Sequence, residues 1–343
     1  MVRVRAMSNA QTYASYMREE AEVGQWTGKG AEMLGLTGEV GLREFATLRY
    51  GEHPKTGEAL RRQVEDTIRH KPWGDVTYRA RELYEITVSA PKSVSIQGIV
   101  DPEVVAAHMH AVEKIMHDLE YATQRDLVMA TWQHRSSRAG DPQLHTHIAV
   151  MNVAHGEDGW GGLRARELFI NQRQLTATYR AAVLGEVEAK GYKIAYPEIA
   201  GISEELRDKY SQRRHQVEEK IEEYRNEHGM QPSYRAVQAM VLNTREPKDA
   251  RTAREIAAEQ YDRLAPGERA QLVALATEAG ERRSPYVSPH LQEKYGEKSA
   301  VVAAEKAGKK PQLVIQDGGS GEGSAEDVEW SYGRRKRGLG MGM

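Results

Sequence analysis

Leu127-Val-Met-Ala-Thr-Trp-Gln-His134-Arg-Ser-Ser-Arg138-Ala-Gly-Asp-Pro-Gln143-Leu-His145-Thr-His147-Ile-Ala-Val-Met-Asn-Val153 is the stretch on which the reading of this chain turns. Its two largely apolar, β-branched runs, 127–135 and 143–153, read as strands. The residues between them are turn formers, Ser, Gly, Asp and Pro among them, so the pair is expected to close as a hairpin. His145 and His147 are two apart and would share one face of their strand. A turn near Ala139–Gly140 brings His134 opposite or diagonal to them, and such neighbours lie within about 5–8 Å. Three converging neutral imidazoles hold an ion and leave it open positions, the arrangement of a catalytic rather than a structural metal. On these residues alone the competing reading is a polar outer hairpin face that carries histidines by chance.

Working outward, 83–89 alternates and reads as another strand. Glu85, Thr87 and Ser89 share one side of it, a polar stripe that either lines a site or faces solvent. A carboxylate at Glu85 would receive the second N–H of a ligating histidine and fix its tautomer. Asp101-Pro102-Glu103 supplies an N-cap, a first-turn proline and an early acid, opening a helix to about Thr123. His108, His110 and His117 on that helix are expected to face solvent. Residues 2–6 form a short strand leading into a helix from Ser8 or Asn9, on which Tyr13 and Tyr16, three apart, share a face. Helices are expected over 167–190, 203–228, 231–243 and 249–278. The fold class that results is α+β: a central antiparallel sheet with surrounding helices and a mostly helical C-terminal part. The expected division is a core over 1–200, a helical segment over 201–290, and a low-complexity, disordered tail over 291–343, which contains Asp317-Gly-Gly-Ser-Gly-Glu-Gly-Ser.

Composition narrows the chemistry. The 343 residues contain no cysteine, which excludes disulfides, thiolate zinc sites and cysteine nucleophiles. Lys+Arg is 48 against Asp+Glu 50, evenly spread, so any anionic ligand has to be gripped by a local cluster. Sixteen tyrosines against two phenylalanines favour sites where an aromatic ring also offers a hydroxyl. No apolar run approaches the ~20 residues of a membrane helix, and the first residues lack a signal peptide's apolar stretch, so a cytoplasmic protein is expected.

His134 followed by Asp141-Pro-Gln-Leu-His145-Thr-His147 is similar to the metal motif of conjugative relaxases of the TrwC/TraI (MobF) type, within the HUH endonuclease superfamily. Three further stretches agree in order. Trp26-Thr-Gly-Lys-Gly-Ala-Glu-Met-Leu-Gly-Leu-Thr-Gly-Glu-Val40 resembles that family's glycine-rich segment, and Ser89-Ala-Pro-Lys-Ser-Val-Ser95 its strand-to-loop signature. Tyr179-Arg180 and Tyr210-Ser-Gln-Arg-Arg214 resemble its later helical segments. The likeness spans about residues 1–250.

The resemblance implies a bacterial enzyme of plasmid mobilisation that nicks single-stranded DNA at an origin of transfer and rejoins it. A tyrosine oxygen would attack the scissile phosphate, giving a 5′-phosphotyrosyl intermediate and a free 3′-OH. Asn9-Ala-Gln-Thr-Tyr13 best matches the position of the nucleophile, with Tyr16 second. No tyrosine lies between Tyr16 and Trp26, where relatives often carry a second pair. The resemblance further implies a divalent ion on His134, His145 and His147, Mg²⁺ or Mn²⁺ in solution and Zn²⁺ or Ni²⁺ as ions a crystal takes up. Glu85 stands at the family's aspartate, and Lys92 and Arg138 fall where contacts to DNA phosphates are expected. The implied partners are single-stranded DNA of a nick site with an adjacent hairpin, accessory relaxosome proteins and a coupling protein. No Gly-x-x-x-x-Gly-Lys-[Ser/Thr] phosphate loop occurs, so no helicase motor is expected. A rolling-circle replication initiator, a three-histidine metallohydrolase and an inactive DNA-binding protein remain as alternatives.

Overall fold

Val2-Arg-Val-Arg alternates apolar and charged, and the chain begins as an edge strand that buries Val2 and Val4 and leaves Arg5 exposed (β1, Val2–Met7). The computed structural model describes residues 1–8, 23–63, 65–243 and 251–282. After β1 come β2 (Gln25–Thr27), two short helices, α1 (Lys29–Met33) and α2 (Leu42–Tyr50), and a separate two-stranded ribbon, β3 (Thr67–Lys71) with β4 (Gly74–Tyr78). Then follow β5 (Leu83–Ser89), α3 (Lys92–Gln97), α4 (Pro102–Thr123), β6 (Asp126–Ser136), β7 (Pro142–Gly156) and β8 (Gly159–Gly161). The C-terminal part runs through α5 (Arg166–Ile170), α6 (Gln172–Ala189), β9 (Ile194–Ala195), β10 (Glu198–Ile199), α7 (Glu204–Lys209), α8 (Gln212–His228), α9 (Tyr234–Asn243), α10 (Ala253–Asp262) and α11 (Pro266–Arg282).

The main sheet has the order β1-β5-β7-β6-β2, with β8 added to β7, and its pairings are antiparallel. The alternation of each strand gives the sheet two different faces. One is largely apolar and lies under α4 and α6, with Ile86, Ile148 and Val150 packed among Val112, Ile115, Tyr179 and Val183. The other is divided along its length. Leu83, Val128, Ala130, Trp132, Ala149 and Met151 form an apolar half with Trp26 and Phe45. Beyond them the same alternation places Glu85, His134, His145 and His147. Fully burying one such aliphatic side chain is worth about 1.5–3 kcal/mol, so both halves of that face are held in register by what lies behind and beside them.

Helix boundaries follow cap chemistry. Asp101 caps α4, its side chain accepting from the Glu103 backbone N–H at 2.9 Å with proline at the first turn. The helix expected over 167–190 is instead two, parted at Asn171, and that over 203–228 parts at Tyr210–Ser211. Pro266 ends the continuity of the last one and opens α11. This last helix returns to the core, where Gln97 Nε2 donates to the Leu272 carbonyl at 3.0 Å and to Tyr192 OH at 3.0 Å. At its far end it crosses the turn at Gly191, whose φ is 92°, and a Cβ there would stand 2.1 Å from the Ala279 carbonyl oxygen. The tail proposed for 291–343 lies outside the described residues.

Candidate metal centre

The hairpin β6–β7 pairs His134 directly with His145 and Trp132 with His147, while β5 sets Thr87 against His147 and Ser89 against His145. Three imidazoles therefore meet on one face. Their ring centroids are 5.0 Å apart for His134–His145, 5.0 Å for His134–His147 and 5.1 Å for His145–His147. Imidazoles that share an ion at the ~2.0–2.1 Å of a metal–nitrogen bond have centroids about 5 Å apart, so the spacing fits. Among the described residues no three His, Asp or Glu side chains stand in closed coordination geometry. The strand pairing holds the three rings together on one face, and χ2 of an imidazole is a broad, inexpensive torsion.

The second nitrogens are already committed. His147 Nδ1 donates to Glu85 Oε1 at 2.8 Å, and His145 Nδ1 donates to the Gln143 carbonyl at 2.8 Å. With Nδ1 protonated in both rings, the lone pair is on Nε2, the tautomer a metal needs. Burial, and then the neighbouring His147, lowers the pKa of His145 to about 4, so it is neutral at physiological pH. Glu85 is itself buried, with Arg5 Nη1 3.6 Å from its other oxygen. Burial alone would raise its pKa, but the hydrogen bond from His147 and the charges of Arg5 and Arg3 bring it below the usual carboxylate range. The carboxylate is thus anionic, and a donor set of three imidazoles backed by an acid fits a divalent cation.

Below the sheet His108 is completely buried rather than solvent-facing. Its Nδ1 lies 2.6 Å from Tyr179 OH and its Nε2 2.9 Å from Thr146 Oγ1. Thr146 stands between the two histidines of β7, so this chain of hydrogen bonds ties the hairpin to α4 and α6 from behind. The polar residue His108 had looked like an outer-face residue because helical spacing alone does not tell which side a lone histidine takes.

The hairpin turn is fixed from the front by Asp141, 1% exposed. It accepts from the Gln212 backbone N–H at 2.8 Å, from Gln212 Nε2 at 3.1 Å and from Arg263 Nη2 at 3.1 Å. Gln260 Nε2 adds a bond to the Gly140 carbonyl at 2.9 Å, so α8 and α10 both grip the turn. Lys92 heads α3 with its ammonium donating to two carbonyls, Pro142 at 3.1 Å and Tyr210 at 2.7 Å. In this arrangement it braces the two loops together. Arg138 sits half-buried in the turn itself. Tyr13 and Tyr16 lie outside the described residues. Asp141 stands in the sequence as a turn former within the histidine motif and Arg5 as one step of an edge-strand alternation, so the bracing role of each is visible only in the fold.

A family model described as TrwC relaxase matches residues 4–266. The chain belongs to the TrwC relaxase family. Its mixed sheet-and-helix architecture is the TrwC relaxase fold. Among solved structures it is similar to the conjugative relaxase TrwC in complex with oriT DNA, metal-bound, with a TM-score of 0.66, 27% identity, and coverage of 80% of this chain and 98% of that one. A copper-bound form of the same complex gives a TM-score of 0.65 at the same identity. TrwC with a 27-mer DNA comprising the recognition hairpin and the cleavage site gives 0.62. The multifunctional conjugation protein TraI of Escherichia coli K12 is 33% identical over 194 residues, which cover 49% of this chain. The match takes in 10% of that protein's length, so this TrwC-family chain corresponds to a small part of it.

Proposed function

We propose that this relaxase chain nicks and rejoins single-stranded DNA at an origin of transfer, through a covalent phosphotyrosyl intermediate and with a divalent ion on His134, His145 and His147. The observation that carries the reading is the Glu85-backed cluster of three imidazoles on one sheet face. A bound divalent ion would polarise the scissile phosphate and stabilise charge that develops on it. The chain's own residues do the rest. Glu85 and the Gln143 carbonyl hold two of the rings in the ligating tautomer, and the apolar half of the face keeps the cluster at the sheet's end.

Tyr13 is the nucleophile in this reading, with Tyr16 as the second candidate. Strand β1 ends at Met7, paired with Leu83 two residues before Glu85, and Tyr13 follows six residues later in the sequence. The phenol oxygen forms a bond to phosphorus as the 3′-oxygen leaves, and attack by that 3′-OH reverses the step. A tyrosine of pKa ~10 is a weak nucleophile at neutral pH, which is why charge stabilisation at the phosphate is needed. The β3–β4 ribbon carries Arg69, Lys71 and, at its turn, Trp73, which is 78% exposed, and a two-stranded ribbon fits a DNA major groove. We assign it to a duplex hairpin beside the nick site. Accessory proteins of a transfer complex and a cytoplasmic setting belong to the same reading, and no described helix is long and apolar enough to cross a membrane.

The test is incubation of the full chain with a nick-site oligonucleotide and Mn²⁺ or Mg²⁺. A covalent protein–DNA adduct should form, vanish with chelator, and vanish in the Tyr13→Phe, Tyr16→Phe double variant. An adduct undiminished in that variant overturns the tyrosine assignment.

A further inference from the structure

The strand that carries His145 and His147 is also held from its opposite face. Thr146 lies between the two histidines, points by alternation to the other side of the sheet, and is fully buried there. Its hydroxyl stands 2.9 Å from His108 Nε2 and donates to Met109 Sδ at 3.7 Å. A thioether sulfur has no hydrogen to give, so the Thr146 oxygen accepts from His108 Nε2–H while giving its own proton to Met109. His108 Nδ1 then accepts from Tyr179 OH at 2.6 Å. Burial lowers the pKa of His108 to about 3 and raises that of Tyr179, so both are neutral and the chain of bonds has one proton arrangement.

Two observations set this chain apart from ordinary core filling. The ladder between β6 and β7 is irregular at the metal centre: the strands pair at His134–His145, and the register then shifts before Ser136–Pro142. Backbone pairing is therefore interrupted just where the imidazoles have to be held, and side chains from behind take over. Ser95 Oγ accepts from the Leu144 backbone N–H at 3.0 Å, and His108 holds Thr146 two residues on. The χ1 angle of a β-branched residue is stiff, so a bond that fixes Thr146 Oγ1 also fixes the pleat of the strand at that residue. The second observation is chemical. Three polar groups stand in an apolar cluster with Val112, Ile115 and Val183, where apolar partners of the same shape would be about as stable. Stability alone does not account for them; a directional hold on the strand does.

Resting on the ion-holding reading above, we propose that His108 and Tyr179 act through Thr146 as positioning residues of the metal centre. They lie on the other face of the sheet from the ion and keep the strand pleated so that His145 and His147 stay at ligating spacing.

The test measures Mn²⁺ and Co²⁺ affinity of the full chain by calorimetry for Thr146→Val, Thr146→Ser and Tyr179→Phe, with urea denaturation of each metal-free variant alongside. Valine keeps the shape of threonine and loses the hydroxyl; serine keeps the hydroxyl and loses the methyl group. Thr146→Val should bind about tenfold more weakly, the lower end of what an outer hydrogen-bond partner is worth to a metal site. Thr146→Ser should recover most of that affinity even where it is the less stable protein. The reverse order, serine binding more weakly than valine, is the signature of packing and overturns the proposal. Tyr179→Phe should weaken binding by a smaller factor, and adding it to Thr146→Val should cost little more, because both break one chain. Losses that simply multiply overturn the chain as the cause. Should Thr146→Val fail to fold, Tyr179→Phe decides alone, and unchanged affinity there overturns the proposal. A wild-type chain that binds the ions equally well as Thr146→Val overturns this proposal and leaves the metal reading intact. A wild-type chain that binds neither ion overturns the metal reading and this proposal with it.

Discussion

Glu85 shares one carboxylate between two strands: Oε1 takes the His147 proton, and Oε2 lies near Arg5 of the edge strand. A buried acid in this position raises the basicity of the imidazole it holds, and loss of such a partner typically weakens metal affinity 10–100-fold. Glu85→Gln, which keeps the shape and removes the charge, should therefore bind Mn²⁺ or Co²⁺ about 10–100-fold more weakly by calorimetry while the fold persists. Unchanged affinity would show that the carboxylate only packs the sheet. His108 gives a separate reading by pH. Burial, with the nearby His145 adding to it, lowers its pKa from 6.5 to about 3, so the unfolded chain takes up a proton more readily than the folded one. Its contribution to stability is full above pH 6.5 and is lost as pH falls from 6.5 toward 3. Denaturation of the wild type should lose up to about 1.4 kcal/mol per pH unit more than His108→Gln between pH 6 and 4. Equal slopes would mean that His108 accepts a proton in the folded state. The histidine triad was legible at this scale because strand alternation is a rigid rule; the inward turn of His108 was not, since a four-residue helical rhythm fits either side.

Among the elements, those with a chemical start signal were legible and those without one were not. The spans 83–89 and 102–123 stand where alternation and the Asp101–Pro102 cap put them. Strand β2 and helix α1, three and five residues long, are too short to show any period, and the β3–β4 ribbon is too exposed and charged to read as a strand. The long helical texture after residue 167 was sound in type but hid its breaks, because a run of helix formers conceals a cap such as Asn171 that does double duty. At this scale α11 has its tightest backbone approach at one crossing. With φ at 92° and a would-be Cβ 2.1 Å from a backbone carbonyl, Gly191 has no tolerance for a side chain. Gly191→Ala should cost about 1–3 kcal/mol by urea denaturation. It should also raise hydrogen exchange in 266–282 more than in the sheet. A variant as stable as wild type would show that α11 contributes nothing at that crossing.

Across the whole molecule, a net charge of −2 concealed a family that acts on nucleic acid. The composition is neutral because 48 basic and 50 acidic side chains are spread along the whole chain, so the total says nothing of where a local cluster stands. The sheet's divided face has an optical consequence. Trp132 is 3% exposed and stands directly cross-strand from His147, about 5 Å away between Cβ atoms. A paramagnetic ion such as Cu²⁺ held by the triad would thus quench this indole at contact range, while diamagnetic Mg²⁺ would leave it bright. The protein carries its own fluorescent gauge of which ion it holds, and no dye or label is needed to read it.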